Sequence, residues 1–580
     1  MKFLRVLCVL CGLLVQARAI DREAFTFTNY DLDVRIEPEQ QRLAVRGKII
    51  LRNDSVAPQK NLPLQISSSL GWRSIALGGK PAQFVSQPYT SDIDHTGALS
   101  EAIVTLPKEI PPKGTVELEI GYEGIVPLDA TRLTRIGVPA ELARHSDWDQ
   151  IGQSFTTVRG IGYVAWYPIA TESANLSEGN SVFERVARWK AREVEAQLTV
   201  KLSDSSEGAA NLLCNSKTGG AYANGRTDRA DESVNECSFQ PLGATVPLLV
   251  VGRVDGLQAP SFHVSYIPDH KPGAEKYMAV VRLASPFVGG WVGYPKERIG
   301  MKTEVVELGD PEAAPYESGS ILLTPLDADS KLMQLTAVHQ LAHAAFYSPR
   351  LWIYEGLAHL VQAAYLEQGS GGRQSALDFI GLHRTALAEA EKALDRERSQ
   401  NTAADESLIS TGIEDLYRSK ALYVWWMLRD MVGDVALKKA LAAYRPEADT
   451  TPSYMQQLIE AQTKSDLRWF FDDWVYRDRG LHDFKVATVY PWETSGNAHV
   501  VTVTVENLGN AAAEVPLLLK MEEGQVTKRL LVRGKSKAII RIEAISTPRE
   551  IVVNDGSVPE SDMSNNVYKI EAPAKKNGRF

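Results

Sequence analysis

Along the first part of the chain, hydrophobic and polar residues alternate. Leu32-Asp33-Val34-Arg35-Ile36, Val45 to Leu51 and Val116-Glu117-Leu118-Glu119-Ile120 carry apolar side chains at every second position, and Pro, Gly and Asn interrupt the runs. A period of two places one face of a strand in a core and the other in water, so residues 20–256 are expected to form an antiparallel β domain. The period then lengthens. Between 257 and 485 a few strands, such as Ser320-Ile321-Leu322-Leu323, give way to helical stretches at 331–346, 351–368, 376–398, 414–430 and 453–475. Residues 486–572 return to alternation in His499-Val500-Val501-Thr502-Val503-Thr504-Val505, with turns expected at Asn507-Leu508-Gly509-Asn510 and Asn554-Asp555-Gly556. Short strands with turn signals at this spacing predict a β-sandwich. The expected class is multidomain α+β, closed by a polar tail at 573–580.

Composition narrows the partners. With 580 residues, 44% of them hydrophobic, the chain has material for several cores. A net charge of −9 without a basic stripe excludes nucleic acid as an expected partner. Lys2 and Arg5, the apolar run from Val6 to Val15 and Ala17-Arg18-Ala19 read as a secretory signal peptide over residues 1–19. No later segment approaches the ~20 apolar residues that cross a bilayer, so no transmembrane segment is expected. The mature protein is expected to be exported, to a periplasm or beyond. Of four cysteines, Cys8 and Cys11 leave with the signal. Cys214 and Cys237 then pair in an oxidising compartment, the alternative being two unrelated thiols.

The candidate chemistry lies in the helical middle. Three of ten histidines fall in His339-Gln340-Leu341-Ala342-His343 and Trp352-Ile353-Tyr354-Glu355-Gly356-Leu357-Ala358-His359. An i, i+4 histidine pair alone is weak evidence, since ten histidines in this length give roughly 0.2 such pairs by chance. The intervening Tyr347-Ser348-Pro349-Arg350 adds geometry. It breaks two apolar-periodic helices, and a short connection makes neighbouring helices antiparallel. Reflection about Pro349 sets His343 opposite Glu355 and His339 opposite His359. Two readings follow from that convergence: a metal site, or a buried polar cluster whose members satisfy one another.

These residues resemble the membrane alanyl aminopeptidase family of gluzincin zinc metallopeptidases, whose signature is HExxH followed by a glutamate within W-x-N-E-G-[FL]-A. Lys420-Ala421-Leu422-Tyr423-Val424-Trp425-Trp426-Met427-Leu428 is similar to the family's K-G-A-x-x-x-x-M-L helix. Asp466-Leu467-Arg468-Trp469-Phe470-Phe471-Asp472-Asp473-Trp474-Val475 is similar to its D-L-x-x-F-F-x-x-W-V, and Trp166-Tyr167-Pro168 marks the N-terminal domain. The resemblance spans residues 21–485. It implies a thermolysin-like fold for 257–485, a Zn cofactor held by His339, His343 and Glu355, and peptides or protein N-termini as partners. His359 is then a partner orienting His339, an alternative ligand, or a solvated residue.

The departures bear on activity. Gln340 stands where the family has its general base, and an amide does not take a proton near neutral pH. The spacer from His343 to Glu355 is eleven residues, shorter than the family's. Arg418 holds the place of the oxyanion-stabilising tyrosine, with Tyr417 adjacent and out of register. Ala314-Pro315-Tyr316-Glu317-Ser318 occupies the place of G-A-M-E-N, so Glu317 corresponds to the residue that holds a substrate's amino terminus, an exposed loop glutamate being the other reading. Asp555, Glu560 and Asp562 suit a solvated turn better than a calcium site. The sequence thus leads to an exported zinc-binding aminopeptidase-like protein with hydrolysis weakened or lost. The alternative is a non-catalytic peptide-binding or scaffold protein on the same fold.

Overall fold

The computed structural model describes residues 20–570 apart from 179–180, 194, 205–210, 216–224, 227–232, 241, 245, 260–261, 294–302, 319–320, 328, 370, 400–406, 412 and 494–498. The expected signal segment and tail lie outside the described residues. The chain divides into two compact units: Met1–Leu176 with Trp189–Gly252, and Ser177–Arg188 with Arg253–Phe580.

The first unit is built from strands whose alternation does what the pattern predicts. Leu32, Val34 and Ile36 are buried while Asp31, Asp33 and Arg35 face water. Its largest sheet has eight strands, with Phe25–Glu37 at the centre beside Arg42–Asn53. The expectation of a purely antiparallel domain is corrected here: Phe25–Glu37 runs parallel to Gln197–Asp204, with Tyr30 opposite Leu198. Alternation is identical for either strand direction, and only a long connection permits the parallel one. Trp166 and Tyr167 are fully buried, and the phenols of Tyr122 and Tyr30 donate to the carbonyls of Trp166 and Pro168, both at 2.9 Å. Cys214 and Cys237 form a disulfide with their Cα atoms 6.3 Å apart.

The second unit begins with a five-stranded sheet in the order Asp255–Ala259, Phe262–Tyr266, Thr303–Glu307, Ile321–Thr324, Tyr316–Ser318. The last of these is an antiparallel edge strand that sets Glu317 opposite Leu322. The histidine helix Ser330–Ala345 follows, its N-terminus capped by the Asp329 carboxylate accepting from the Lys331 amide. After the break at Phe346–Arg350, the glutamate helix Leu351–Gln368 returns along it. Three expected helices are subdivided. Residues 376–398 belong to two helices, Gly372–Leu382 and Arg384–Ser399, and residues 414–430 start with a π turn, Asp415–Lys420, before the α-helix Ala421–Val432. The stretch 453–475 breaks between Tyr454–Glu460 and Arg468–Phe471. There Thr463 and Asp466 side chains accept from the Ser465 and Arg468 amides and offer the backbone an alternative to the helix.

The described residues between 484 and 569 form two facing sheets, one of three strands (Phe484–Glu493, His499–Asn507, Ser536–Ala544) and one of four (Gln525–Val532, Ala513–Met521, Pro548–Val553, Val567–Lys569). They share one hydrophobic core with the helices. Trp474 Nε1 donates to the Ala512 carbonyl at 2.9 Å, and Arg373 joins Asp430 of a helix to Asp555 of the sandwich. Asp555, Glu560 and Asp562 do not converge. Asp562 accepts from the Ser564 amide in its own turn, and buried Glu560 accepts from the Phe484 amide and the Asn554 and Asn566 side chains.

His482 is fully buried at this junction, stacked 4.7 Å from Trp474 and 5.0 Å from Phe484. Burial lowers its pKa to about 4, with the Ala512 and Pro559 backbone only partly opposing. A histidine depressed on folding leaves stability intact above its unfolded value of about 6.5 and loses it as pH falls through the folded one. About 3 kcal/mol is therefore expected to disappear between pH 6.5 and 4. Urea denaturation of His482→Phe over that range should show a flatter pH profile than the natural protein.

Candidate metal centre

In the structure the two helices bring their polar faces together. Glu355, His359 and Gln362 recur at i, i+4 and i+7 on a helix that is mostly apolar before its last turn, which faces them all to one side. Gly356 permits the close approach that fixes this helix: a Cβ there would lie 2.6 Å from Ala421 Cβ and 2.8 Å from Trp425 Cδ1. The reflection about Pro349 is visible as distances. His343 Nε2 lies 3.8 Å from Glu355 Oε1, and the His339 and His359 rings are 4.8 Å apart.

Glu317 joins them from the edge strand. Its Oε2 is 2.7 Å from His339 Nε2 and its Oε1 is 3.2 Å from His343 Nε2. The two Nε2 atoms face each other at 3.0 Å, and Glu355 Oε2 is 3.9 Å from that of His339. One donor atom from each of Glu317, His339, His343 and Glu355 falls within 4.8 Å of the other three. The loop reading of Glu317 gives way to a strand position inside the cluster.

The protonation of His339 follows from its neighbours. Gln362 donates its amide N–H to the Leu335 carbonyl at 2.9 Å, so its Oε1 must face the histidines. That oxygen lies 2.9 Å from His359 Nδ1 and 3.3 Å from His339 Nδ1, and an amide oxygen only accepts. His339 therefore carries a proton on Nδ1, which leaves Nε2 as the nitrogen that faces the two carboxylates. Such outer partners orient a ligating imidazole. His359 shares the Gln362 oxygen with His339, and Gln362 itself was legible only as the i+7 member of the polar stripe. Replacing Gln362 by leucine is expected to weaken zinc binding ~10–100-fold while sparing the fold, which a competitive zinc titration alongside circular dichroism would measure.

Two carboxylates and two imidazoles pointing at one space need protons or a metal cation among them. Ligands at about 2.0–2.2 Å from a tetrahedral zinc stand roughly 3.4 Å from one another, and the five distances above run from 2.7 to 3.9 Å. Two carboxylates also balance a dication. The residues fit Zn.

Electrostatics inside the cluster are strong. Burial would raise Glu317, but the charges of His339 and His343 outweigh it and hold the carboxyl well below its usual range. For His339 burial pulls downward and is overcome by Glu317, leaving the imidazole raised, whereas for His343 burial prevails and the net shift is down. Burial also keeps His359 well below its ordinary value, reinforced by the charge of His339. The Tyr354 ring lies 3.9 Å from that of His343 and holds its plane.

Two further positions complete the site. Gln340 is buried at 1% exposure, and its Nε2 has no hydrogen-bond acceptor among the described residues. Arg418, on the π turn, donates through Nε to Glu355 Oε2 at 3.1 Å and also pairs with Glu414. Tyr417 is buried one residue earlier, and burial, then the Glu414 charge, raises its hydroxyl pKa far above the ordinary value.

No family model and no curated protein sequence matches this chain. Among solved structures it is similar to an M1 zinc metallopeptidase from Deinococcus radiodurans, at 16% identity and TM-score 0.40 over 78% of this chain and 94% of that one. A mutant of an M1 zinc metallopeptidase from the same organism, bound to a Tyr-Ser-Ala substrate, matches with the same values.

Proposed function

We propose that this chain is an exported, zinc-binding, aminopeptidase-like protein that engages peptides or protein N-termini and whose hydrolytic activity is weakened or lost. One observation carries the reading: His339, His343 and Glu355 converge with a fourth carboxylate around a space that suits a dication. Zinc held there with an open position would supply Lewis acidity toward a peptide carbonyl. The chain's own residues set the rest. Gln362 fixes the His339 tautomer, Tyr354 packs on His343, and Arg418 places a cation beside Glu355. Gln340 stands where a base would accept a proton, and its amide does not accept one, a loss worth typically ~10²–10⁴-fold in rate. The pairing of Cys214 with Cys237 supports an oxidising compartment. Among the described residues no helix is long and apolar enough to cross a membrane.

The test is elemental analysis of purified mature protein together with hydrolysis of amino-acyl substrates bearing free and blocked amino termini. One zinc per chain with feeble turnover is the expected result; absence of metal after chelator-free purification would overturn the reading. A non-catalytic peptide-binding scaffold is the second reading, and it is favoured by Glu317, whose carboxylate already lies against both histidines.

A further inference from the structure

We propose that Glu317 is a fourth protein ligand of the metal, so that the centre is closed and holds its ion as a structural element instead of presenting an open coordination position. This rests on the zinc reading above and goes beyond it in assigning Glu317.

Distance is the first ground. Glu317 lies nearer to the two Nε2 atoms, at 2.7 and 3.2 Å, than Glu355 does, at 3.9 and 3.8 Å. Competition is the second. Glu355 Oε2 is shared with Arg418 Nε, whereas Glu317 Oε1 is buried and, beyond its 3.2 Å approach to His343 Nε2, makes no hydrogen bond among the described residues. A desolvated carboxylate oxygen with so few partners is costly, and a cation would satisfy it. Backbone placement is the third ground. Glu317 is held in strand register between Tyr316 opposite Leu323 and Ser318 opposite Ile321, so its direction does not depend on a free loop.

The chemistry of the set agrees. Closed sites with four protein ligands are the structural kind, and sites with three ligands and an open position are the catalytic kind. Two imidazoles with two carboxylates give a neutral complex with Zn²⁺. Position 340 fits the same logic: a centre without room for an attacking water has no use for a base, and Gln340 is not one. A Glu317 committed to the metal is also unavailable to hold a substrate's amino terminus.

The experiment replaces zinc by Co²⁺ in the full mature chain and follows its visible spectrum while azide is added. One Co²⁺ per chain with a spectrum that azide leaves unmoved at millimolar concentration is expected. Glu317→Ala should bind the ion at least ~10-fold more weakly and acquire an azide-dependent spectrum. Natural protein that binds one Co²⁺ and responds to azide would overturn the fourth ligand while leaving the metal reading standing. Protein that binds neither Co²⁺ nor zinc would overturn both. Because the natural protein alone decides the matter, a Glu317→Ala chain that fails to fold does not rescue the proposal.

Discussion

Replacing His343 by alanine is expected to remove zinc from the purified protein. His343 supplies one of the two imidazoles and is 8% exposed, with the Tyr354 ring packed on its own. Without it Glu317 and Glu355 face one another across a gap with a single imidazole between them. Taking one partner from a buried charged cluster costs about 3–5 kcal/mol, or roughly 10²–10⁴-fold in affinity. Metal content after gel filtration, with a chelator-competition titration, measures the change. Binding to the natural protein should also weaken as the buffer is made more acidic, because protons compete for both Nε2 atoms, first at the raised His339 and then at the lowered His343. Unchanged zinc content in the variant would show that the ion, if present, sits elsewhere.

Restoring a carboxylate at position 340 is the second large effect, and it is expected to appear only when the centre is opened. Glutamate nearly matches glutamine in shape, so Gln340→Glu should preserve the fold. With Glu317 in place, the single variant is expected to leave hydrolysis of amino-acyl substrates at the natural protein's level. Combined with Glu317→Ala, it should raise hydrolysis by ~10²-fold or more over either single change, the usual weight of a positioned base. Turnover compared at equal zinc occupancy reads this out. Strong activity in Gln340→Glu alone would mean that Glu317 does not close the centre, and no activity in the double variant would favour the scaffold reading.

The parts of the molecule that local spacing controls could be read along the chain, and those set by distant pairing could not. The alternation at Leu32, Val34 and Ile36 specifies a buried face whatever the neighbouring strand. It carries no information about Leu198, which pairs with Tyr30 in parallel from far along the sequence. The helical hairpin is likewise local: the break at Pro349 and two periodic helices suffice to bring His343 toward Glu355. Glu317 reaches the same place through sheet register opposite Leu322, a tertiary fact with no periodic trace. The π turn at Asp415–Lys420 is invisible to a 3.6-residue pattern, yet it carries Arg418, whose side chain meets Glu355. Gln362 left a faint signal as a polar residue on an apolar helix, lost because glutamine so often lies on a surface.

The common core of helices and sandwich has a consequence for how the molecule comes into being. Trp474 anchors on Ala512, Arg373 reaches Asp555, and Val501, Leu517 and Val553 belong to the same buried set as Trp352 and Val361. Translation delivers the N-terminal side first, and domains generally fold as units in that order. The helical segments around Arg373 and Trp474 therefore gain their final packed neighbours only after the last strands have left the ribosome. A chain truncated before residue 484 would present an unfinished apolar surface to chaperones and proteases instead of a smaller working protein.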